Sequence, residues 1–262
     1  MGRLDRRVAF ITGAGAGIAR ATAELFAAEG ASVVLVEIDP ASGAAAEQAL
    51  RAQGRRALFV PTDVTREDSV RAAVDAGVRA FGKLDVLFNC AGGSVVEDSL
   101  VTDVDFDDVW ERTMGTNLRG TMLCCRHVIP RIITAGGGTV VNMSSGAALR
   151  GASPLHVYTA AKGAIVSLTR ALAGAYVKQN VRVNAICAGR IQTERNVRKY
   201  GAQGMGGGTV VDRQPAAERV KDYPLWVGQP IDIANIALFL ASEDSRMITG
   251  AAIPADGGRS AY

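Results

Sequence analysis

The sequence is poor in the residues that build metal sites and disulfide frameworks. It has only four cysteines, none in a Cys-x-x-Cys spacing, and its two histidines, His127 and His156, lie far apart in the chain. A zinc site needs three or four such ligands close together, so no metal is predicted. We expect four buried free thiols, which are Cys90, Cys124, Cys125 and Cys187.

Long apolar runs and large charge blocks are also missing. No segment approaches the roughly 18 apolar residues of a membrane span, and the run Val8 to Thr12 is too short for a secretory leader. The net charge is only +3, and the basic clusters, such as Arg195 to Lys199, are typical of solvated surface. The sequence therefore argues against membrane and nucleic-acid partners, and we expect a cytoplasmic protein.

What the chain does contain is a regular alternation of element types. Apolar residues make up 48% of 262 residues, which is enough for a sizeable core. Strands of about five residues alternate with helices of about twelve, a pattern that indicates β-α units. We predict an α/β fold of the Rossmann type, with a parallel sheet of about seven strands and helices on both faces. No repeat or linker is evident, so 1–262 is expected to be a single domain.

The first predicted strand ends in a glycine-rich turn. Val8 to Thr12 is followed by Gly13-Ala-Gly-Ala-Gly17-Ile-Ala19 and then by a predicted helix over Ala21 to Ala28. Missing side chains let backbone N–H groups approach a pyrophosphate, whose charge the helix N-terminus favours. Taken alone the loop is only suggestive of dinucleotide binding, because many glycine turns are simply tight turns.

A carboxylate follows the second predicted strand, Ala31 to Val36. Glu37 stands twenty residues after Gly17, where an adenosine ribose would present its hydroxyls. Asp39 is better explained as the N-cap of a helix over Ala41 to Gln53, because a proline follows it.

Two later segments give further predictions. Thr65 to Asp68 has the form of a capping box, and Thr116 to Ile133 reads as one continuous helix.

The alternation breaks at Thr193 to Gln229, which is rich in glycine and has no sustained periodicity. Long irregular segments in compact domains are usually functional. We therefore expect a substrate lid over about 190–229 that is mobile without ligand and ordered with it.

Tyr158 and Lys162 stand four residues apart in a predicted helix, Val157 to Val177, so the phenol and the ammonium share one face. A nearby cation lowers the pKa of a phenol and prepares it to exchange a proton with a substrate oxygen. Ser145, thirteen residues before Tyr158, could hydrogen-bond to the same oxygen. A Tyr-x-x-x-Lys pair alone arises by chance in roughly one such sequence in ten, so its context decides.

In this order the motifs resemble the short-chain dehydrogenase/reductase family over nearly the whole chain. The run from Thr12 to Ala19 matches the family's T-G-x-x-x-G-[IL]-G loop, and Asn89 to Gly92 matches its N-N-A-G motif. Asn117 matches its helix asparagine, and Asn184 to Gly189 matches N-x-[IV]-x-P-G. The serine and the Tyr-x-x-x-Lys pair also have the family's spacing. Six motifs in the correct order make coincidence negligible.

Three positions depart from the family pattern. Ala19 replaces the last glycine of the loop and adds only a methyl group, and Cys90 replaces the second asparagine. Ala188 replaces the proline before Gly189, which frees one φ angle without removing a reactive group.

The resemblance implies roles for individual residues. It makes Tyr158 the acid/base and Lys162 the cation that lowers the tyrosine pKa and binds the nicotinamide ribose. It lets Ser145 position the substrate oxygen and Asn117 anchor a water that relays protons. The cofactor contacts that it implies are Gly13, Ala16, Gly17, Ile18, Glu37, Asp63, Val64, Asn89, Ala91, Gly92, Tyr158, Lys162, Gly189, Ile191 and Thr193.

We therefore predict an oxidoreductase that transfers a hydride between a secondary alcohol or ketone and a nicotinamide cofactor. NAD is expected rather than NADP, because Glu37 would repel a 2′-phosphate and neither Ile38 nor Ala14 to Ala16 offers a cation. This choice favours alcohol oxidation in the cell. The resemblance also implies a homo-oligomer, with a tetramer favoured.

Two other functions stay open at this point. One is an NADPH-dependent 3-oxoacyl-carrier-protein reductase. The other is a non-catalytic dinucleotide sensor, although such relatives tend to lose the tyrosine or the lysine, and both are present here.

Overall fold

The computed structural model describes residues 2–151, 153–200 and 225–261, without the side chains of residues 199 and 200. Seven strands form its central sheet: β1 (Val8–Thr12), β2 (Ser32–Glu37), β3 (Ala57–Pro61), β4 (Val86–Asn89), β5 (Gly138–Ser145), β6 (Val181–Ala188) and β9 (Ala252–Ala255). Their order is β3-β2-β1-β4-β5-β6-β9, and every pair is parallel. A separate short pair joins β7 (Arg190–Ile191) to β8 (Val227–Gly228).

Helices cover both faces of this sheet. They are α1 (Gly17–Ala28), α2 (Pro40–Ala52), α3 (Glu67–Phe81), α4 (Phe106–Met114), α5 (Gly120–Thr134), α6 (His156–Tyr176), α7 (Glu194–Tyr200) and α8 (Pro230–Ala241). Buried residues of α1, α2 and α8 form one core cluster with the sheet, and those of α3 and α5 form the other. The predicted α/β fold with a seven-stranded parallel sheet is confirmed.

The two core clusters follow from the alternation of side chains along each strand. In β1, Ala9 and Ile11 face the cluster that contains α1, while Val8 and Phe10 face the opposite cluster. Both sets are apolar because a parallel sheet covered by helices has no solvated face. This is why the sequence shows short continuous apolar runs rather than an alternation of apolar and polar residues.

The position of a binding crevice follows from the strand order. From β1 the chain moves outward to β2 and β3, and then it returns to place β4 on the other side of β1. In open parallel sheets of this kind, ligands bind beyond the carboxyl ends of the strands where the order reverses. The turns after β1 and β4 therefore face each other across a crevice.

The structure confirms one of the two predicted helix caps and corrects the other. Asp39 caps α2 as predicted, since its carboxylate accepts the N–H of Ala41 at 3.1 Å. The capping box at Thr65 is wrong, because α3 begins after Arg66 and the Thr65 hydroxyl donates to Asp63 instead.

The helix predicted over Thr116 to Ile133 also differs from the structure. A five-residue π-helical turn, Gly115–Arg119, joins α4 to α5, and α4 was missed altogether.

The predicted lid is only partly described. Its beginning forms α7, which the sequence pattern did not predict, and its end contains β8. Residues 201–224 lie outside the described residues. Among the helices of the described ranges, none is long and apolar enough to cross a membrane.

Candidate active site

A cavity of about 710 Å³ opens at the carboxyl ends of the central strands. It collects the glycine loop, the residues after β2 and β4, the start of α6 and the segment from β6 to α7. Of the predicted site residues, all but Asn89 and Asn117 line it. Those that do are Gly13, Ala16, Gly17, Ile18, Glu37, Asp63, Val64, Ala91, Gly92, Ser145, Tyr158, Lys162, Gly189, Ile191 and Thr193.

The glycine loop has the shape that a pyrophosphate requires. Gly13 and Gly17 have φ values of +74° and +56°, which a residue with a side chain rarely adopts. A Cβ atom on Gly13 would lie 3.0 Å from the Cα of Ala91, so the close approach of the two turns leaves little room for a side chain at this position. Helix α1 begins at Gly17 and has no side-chain cap. Its first N–H groups are therefore available to an anion, and the residues present fit a dinucleotide.

Glu37 lies where β2 meets the cavity, and backbone groups hold its carboxylate in place. One oxygen accepts the N–H of Gly15 at 3.0 Å, and the other accepts those of Ile38 at 2.8 Å and Asp39 at 3.1 Å. Glu37 lines the cavity, and no cation of the described residues forms an ion pair with its carboxylate. A fixed negative charge at this point disfavours a second anion nearby.

Lys162 is the most deeply buried charged group of the cavity, with 4% of its surface exposed. Its ammonium donates to the carbonyl oxygen of Met143 at 2.9 Å and lies 5.6 Å from the centre of the Tyr158 ring. The pKa of Lys162 is lowered to about 8, mainly because the ammonium is removed from water; Cys90 opposes this shift and the charge of Arg195 adds to it. The two side chains share one face of α6, as the spacing predicted.

The structure separates the two neighbouring serines at the end of β5. Ser144 is buried, and its hydroxyl donates to the backbone carbonyl of Lys162 at 2.8 Å, which ties β5 to α6. Ser145 is half-buried and lines the cavity, where its oxygen accepts the N–H of Ala147 at 3.2 Å. Both serines line the cavity, but the hydroxyl proton of Ser144 is committed to the backbone of Lys162.

Asn117 lies behind the cavity wall, inside the π-helical turn. Its side-chain oxygen accepts the N–H of Gly93 at 2.9 Å, and its amide nitrogen donates to the carbonyls of Gly93 at 3.0 Å and Thr113 at 2.8 Å. Its backbone carbonyl accepts the hydroxyl of Thr121 at 2.7 Å. The side chain therefore fixes the loop after β4. A Cβ atom on Gly92 would come within 2.5 Å of its oxygen, so that position requires glycine.

Asn89 begins a chain of buried hydrogen bonds that links β4 to β5 and α6. Its amide nitrogen donates to Asn142 at 2.9 Å, and Asn142 donates in turn to the hydroxyl of Thr169 at 3.0 Å on α6. Cys90 lines the cavity instead, and burial raises the pKa of its thiol to about 12. All four cysteines are free, and Cys90 is the half-buried one.

Sequence reasoning missed Asp98, a buried carboxylate at the start of α6. It accepts the backbone N–H groups of Val157 at 3.2 Å and Tyr158 at 2.8 Å. The helix has no side-chain cap of its own, so a residue sixty positions away supplies one. His156 accepts the N–H of Val101 at 3.0 Å, which ties the same two segments together. No local pattern marks such a cap, because the partners meet only in the folded chain.

Known proteins share the fold of this chain. A family model described as enoyl-(acyl carrier protein) reductase matches residues 13–260. A solved short-chain type dehydrogenase/reductase from Mycobacterium ulcerans is 32% identical, with a TM-score of 0.88 over 98% of this chain and 91% of that one. The chain belongs to the short-chain dehydrogenase/reductase family. It is an oxidoreductase that acts on small alcohol or ketone substrates, and the family binds a nicotinamide dinucleotide.

Two further members of the short-chain dehydrogenase/reductase family carry more specific names. The 2-keto-3-deoxy-L-fuconate dehydrogenase of Xanthomonas campestris is 37% identical over 263 residues, which cover 98% of this chain and 81% of that relative. A 7α-hydroxysteroid dehydrogenase solved with NADH and 7-oxo glycochenodeoxycholic acid is 31% identical, with a TM-score of 0.85 over 98% and 95% of the two chains.

The buried ammonium gives a testable dependence of stability on pH. Lys162 has a folded pKa of about 8, whereas an unfolded lysine titrates near 10.4. Between these values the unfolded state binds more protons, so the stability of the wild type rises with pH across this window. We measure the free energy of urea unfolding of the wild type and of Lys162→Met at pH 8 and at pH 10. The wild-type value minus the variant value should rise by about 2 kcal/mol from the lower pH to the higher.

The matched control is Lys178→Met, which removes an exposed lysine. Its difference from the wild type should stay constant over the same pH range. A constant difference for Lys162→Met as well would show that Lys162 titrates at its ordinary pKa.

Proposed function

We propose that this protein is an NAD-dependent dehydrogenase that oxidises a secondary alcohol to a ketone, with Tyr158 as the acid/base. The observation that carries the proposal is the shared cavity. Ser145, Tyr158 and Lys162 line the same cavity as the glycine loop and Glu37, which supports the proposal. A hydride donor or acceptor and a proton-transfer group would then meet at one substrate carbon and its oxygen.

The protein's part of the reaction is the handling of one proton. A bound NAD would supply the acceptor for the hydride of the carbinol carbon. Tyr158 takes the hydroxyl proton as alkoxide character develops on the substrate oxygen, and Ser145 donates a hydrogen bond to that oxygen. Lys162 favours the phenolate form of Tyr158 through its positive charge. Asn117 acts indirectly, because its side chain holds the backbone of Gly93, which borders the cavity.

The charge at the end of β2 supports NAD as the cofactor. The fixed carboxylate of Glu37 can accept hydrogen bonds from ribose hydroxyls and would repel a 2′-phosphate. Ile38, which is 66% exposed, stands next to it and offers no positive charge. Asp39 adds a second carboxylate that is committed to capping α2.

Names of relatives support the substrate class. The Xanthomonas enzyme is named for a keto sugar acid, and the hydroxysteroid dehydrogenase was solved with an oxo acid. Each molecule has an oxidisable or reducible carbon bearing oxygen together with an acid group. A secondary alcohol or its ketone is the chemistry that the two share.

The tyrosine assignment is tested by Tyr158→Phe, which removes one oxygen and little volume. We expect kcat to fall by about 10²- to 10⁴-fold with the best alcohol from a substrate panel. NADH binding, measured by its fluorescence, should change less than about twofold, because the glycine loop is untouched. Tyr176→Phe at the other end of α6 is the matched control and should keep wild-type kcat. If Tyr158→Phe kept more than about a tenth of wild-type kcat, another group would be the acid/base.

The cofactor assignment is tested by Ile38→Arg, which adds a cation beside the proposed ribose site. Wild-type kcat/KM should favour NAD over NADP by a factor on the order of 10². We expect Ile38→Arg to narrow this ratio, and the double variant with Glu37→Ala to narrow it further. Met247→Arg, at a residue 88% exposed outside the cavity, should leave the ratio unchanged. A wild type that uses NADP as well as NAD would contradict the assignment and favour the NADPH-dependent reductase.

We also propose a homotetramer, which the apolar surface beside α4 and α5 supports. Phe106 and Trp110 stack at 6.0 Å and are 46% and 40% exposed, and Met122 is 49% exposed. The adjacent exposed rings of Phe106 and Trp110 favour burial against another copy. Light scattering should give four times the chain mass of 27.3 kDa, and Trp110→Glu should lower it. A monomeric wild type would rule the tetramer out.

A further inference from the structure

Among the residues that the structure describes, the cavity lining carries an excess of positive charge, with six basic side chains against four carboxylates. Arg150, Arg195 and Arg198 line it, and none of the three forms an ion pair with a carboxylate of the described residues. Of the four described carboxylates in the lining, Glu37 accepts backbone N–H groups and Asp63 accepts the N–H and the hydroxyl of Thr65, which leaves Glu194 and Asp256 to consider. A cavity that faces its ligand with unpaired guanidinium groups attracts an anion.

Asp256 does not neutralise these cations. It is buried, and its two oxygens accept the backbone N–H groups of Gly258 at 3.1 Å and Ser260 at 2.9 Å. Its charge is therefore satisfied by the turn after β9. Glu194 is exposed at the start of α7, where water screens it.

Arg150 is the cation best placed to meet a substrate. It is half-buried, and it lies on the segment that runs from Ser145 to the start of α6, so the same short stretch carries the proposed substrate-binding hydroxyl. Its guanidinium makes no hydrogen bond or ion pair with any residue in the ranges that the structure describes. A partly desolvated cation without a counter-charge is stabilised when an anion binds it.

Arg195 has a different commitment. Its guanidinium donates to the carbonyl of Gly92 at 2.7 Å and also to that of Ser94, so it holds α7 against the loop after β4. Its charge nevertheless lies close enough to Lys162 to affect it. Arg195 therefore adds positive potential to the cavity. The guanidinium N–H groups of Arg150 are the ones that have no partner among the described residues and can bind a ligand.

We propose that the substrate carries an anionic group such as a carboxylate, separate from its reacting carbon, and that Arg150 binds this group. The inference rests on the proposed dehydrogenase function and specifies its substrate class. A planar guanidinium forms two parallel hydrogen bonds to a carboxylate, and this pairing orients the ligand as well as binding it. Arg150 would thus select among alcohols that Tyr158 and Ser145 treat alike.

The test uses pairs of substrates that differ only in charge. Straight-chain hydroxy acids, with the secondary hydroxyl two, three or four carbons from the carboxylate, are each compared with their own primary amide. We expect the wild type to favour the acid of at least one pair in kcat/KM. Arg150→Met should reduce kcat/KM for that acid on the order of 10- to 100-fold, mainly through KM, and change the amide less than about threefold.

Arg246→Met is the matched control, because Arg246 is an exposed arginine outside the cavity. It should leave both members of the pair unchanged. Arg150→Lys keeps the charge without the fork and should retain part of the preference. Thermal unfolding of each variant checks that the fold is intact, so a general loss of activity is not mistaken for lost recognition.

A binding measurement separates this inference from the proposed function. Calorimetric titration of the enzyme and NADH with hexanoate and with hexanamide needs no turnover. Binding of hexanoate that Arg150→Met abolishes, without turnover of any alcohol, would support the anion site and overturn the dehydrogenase. Turnover without a preference for acids over amides, or no hexanoate binding and no turnover, would overturn the anion site.

Discussion

The ammonium of Lys162 is the constraint on which the rest of the site depends. A buried lysine is costly unless its proton is held, and here the Met143 carbonyl at the end of β5 holds it. The lowered pKa of about 8 still leaves the group mostly charged at neutral pH. That residual charge is what a phenol needs nearby in order to release its proton. Burying the charged ammonium of Lys162 lowers the folding stability of the protein, and such a loss of stability is common at catalytic sites.

Holding that ammonium requires α6 to stay fixed against β5 along its length. Ser144 bonds to the Lys162 backbone, and the Asn142 side chain bonds to Thr169 two turns further on. Asp98 caps the amino end through the N–H groups of Val157 and Tyr158. These bonds come from β5 and from the loop after β4, so the tyrosine and lysine are positioned by buried polar contacts outside their own helix. Sites held in this way keep their geometry better than sites on loops.

Features that depend on neighbouring residues could be predicted from the sequence. The parallel sheet followed from the alternation of elements, the Asp39 cap from the proline after it, and the shared face of Tyr158 and Lys162 from their spacing. The predicted helix boundaries were wrong where the helix starts one residue later than expected or contains one extra residue. Helix α3 begins one position later than a Thr65 cap requires, and the π-helical turn inserts an extra residue between α4 and α5. Periodicity cannot register either event, because the apolar pattern on both sides is preserved.

The same limit explains why the sequence suggested residues for proton transfer and none for substrate recognition. Proton transfer needs a few residue types at set spacings, and those spacings lie along one helix and one strand. Substrate recognition draws on Arg150 before α6 and Arg195 in α7, which belong to segments that meet only across the cavity. In the sequence Arg150 is an isolated charge, and Arg195 belongs to a basic cluster that resembles any solvated surface. Burial and the absence of a described counter-charge distinguish Arg150 from the surface arginines, and both properties exist only once the chain has folded.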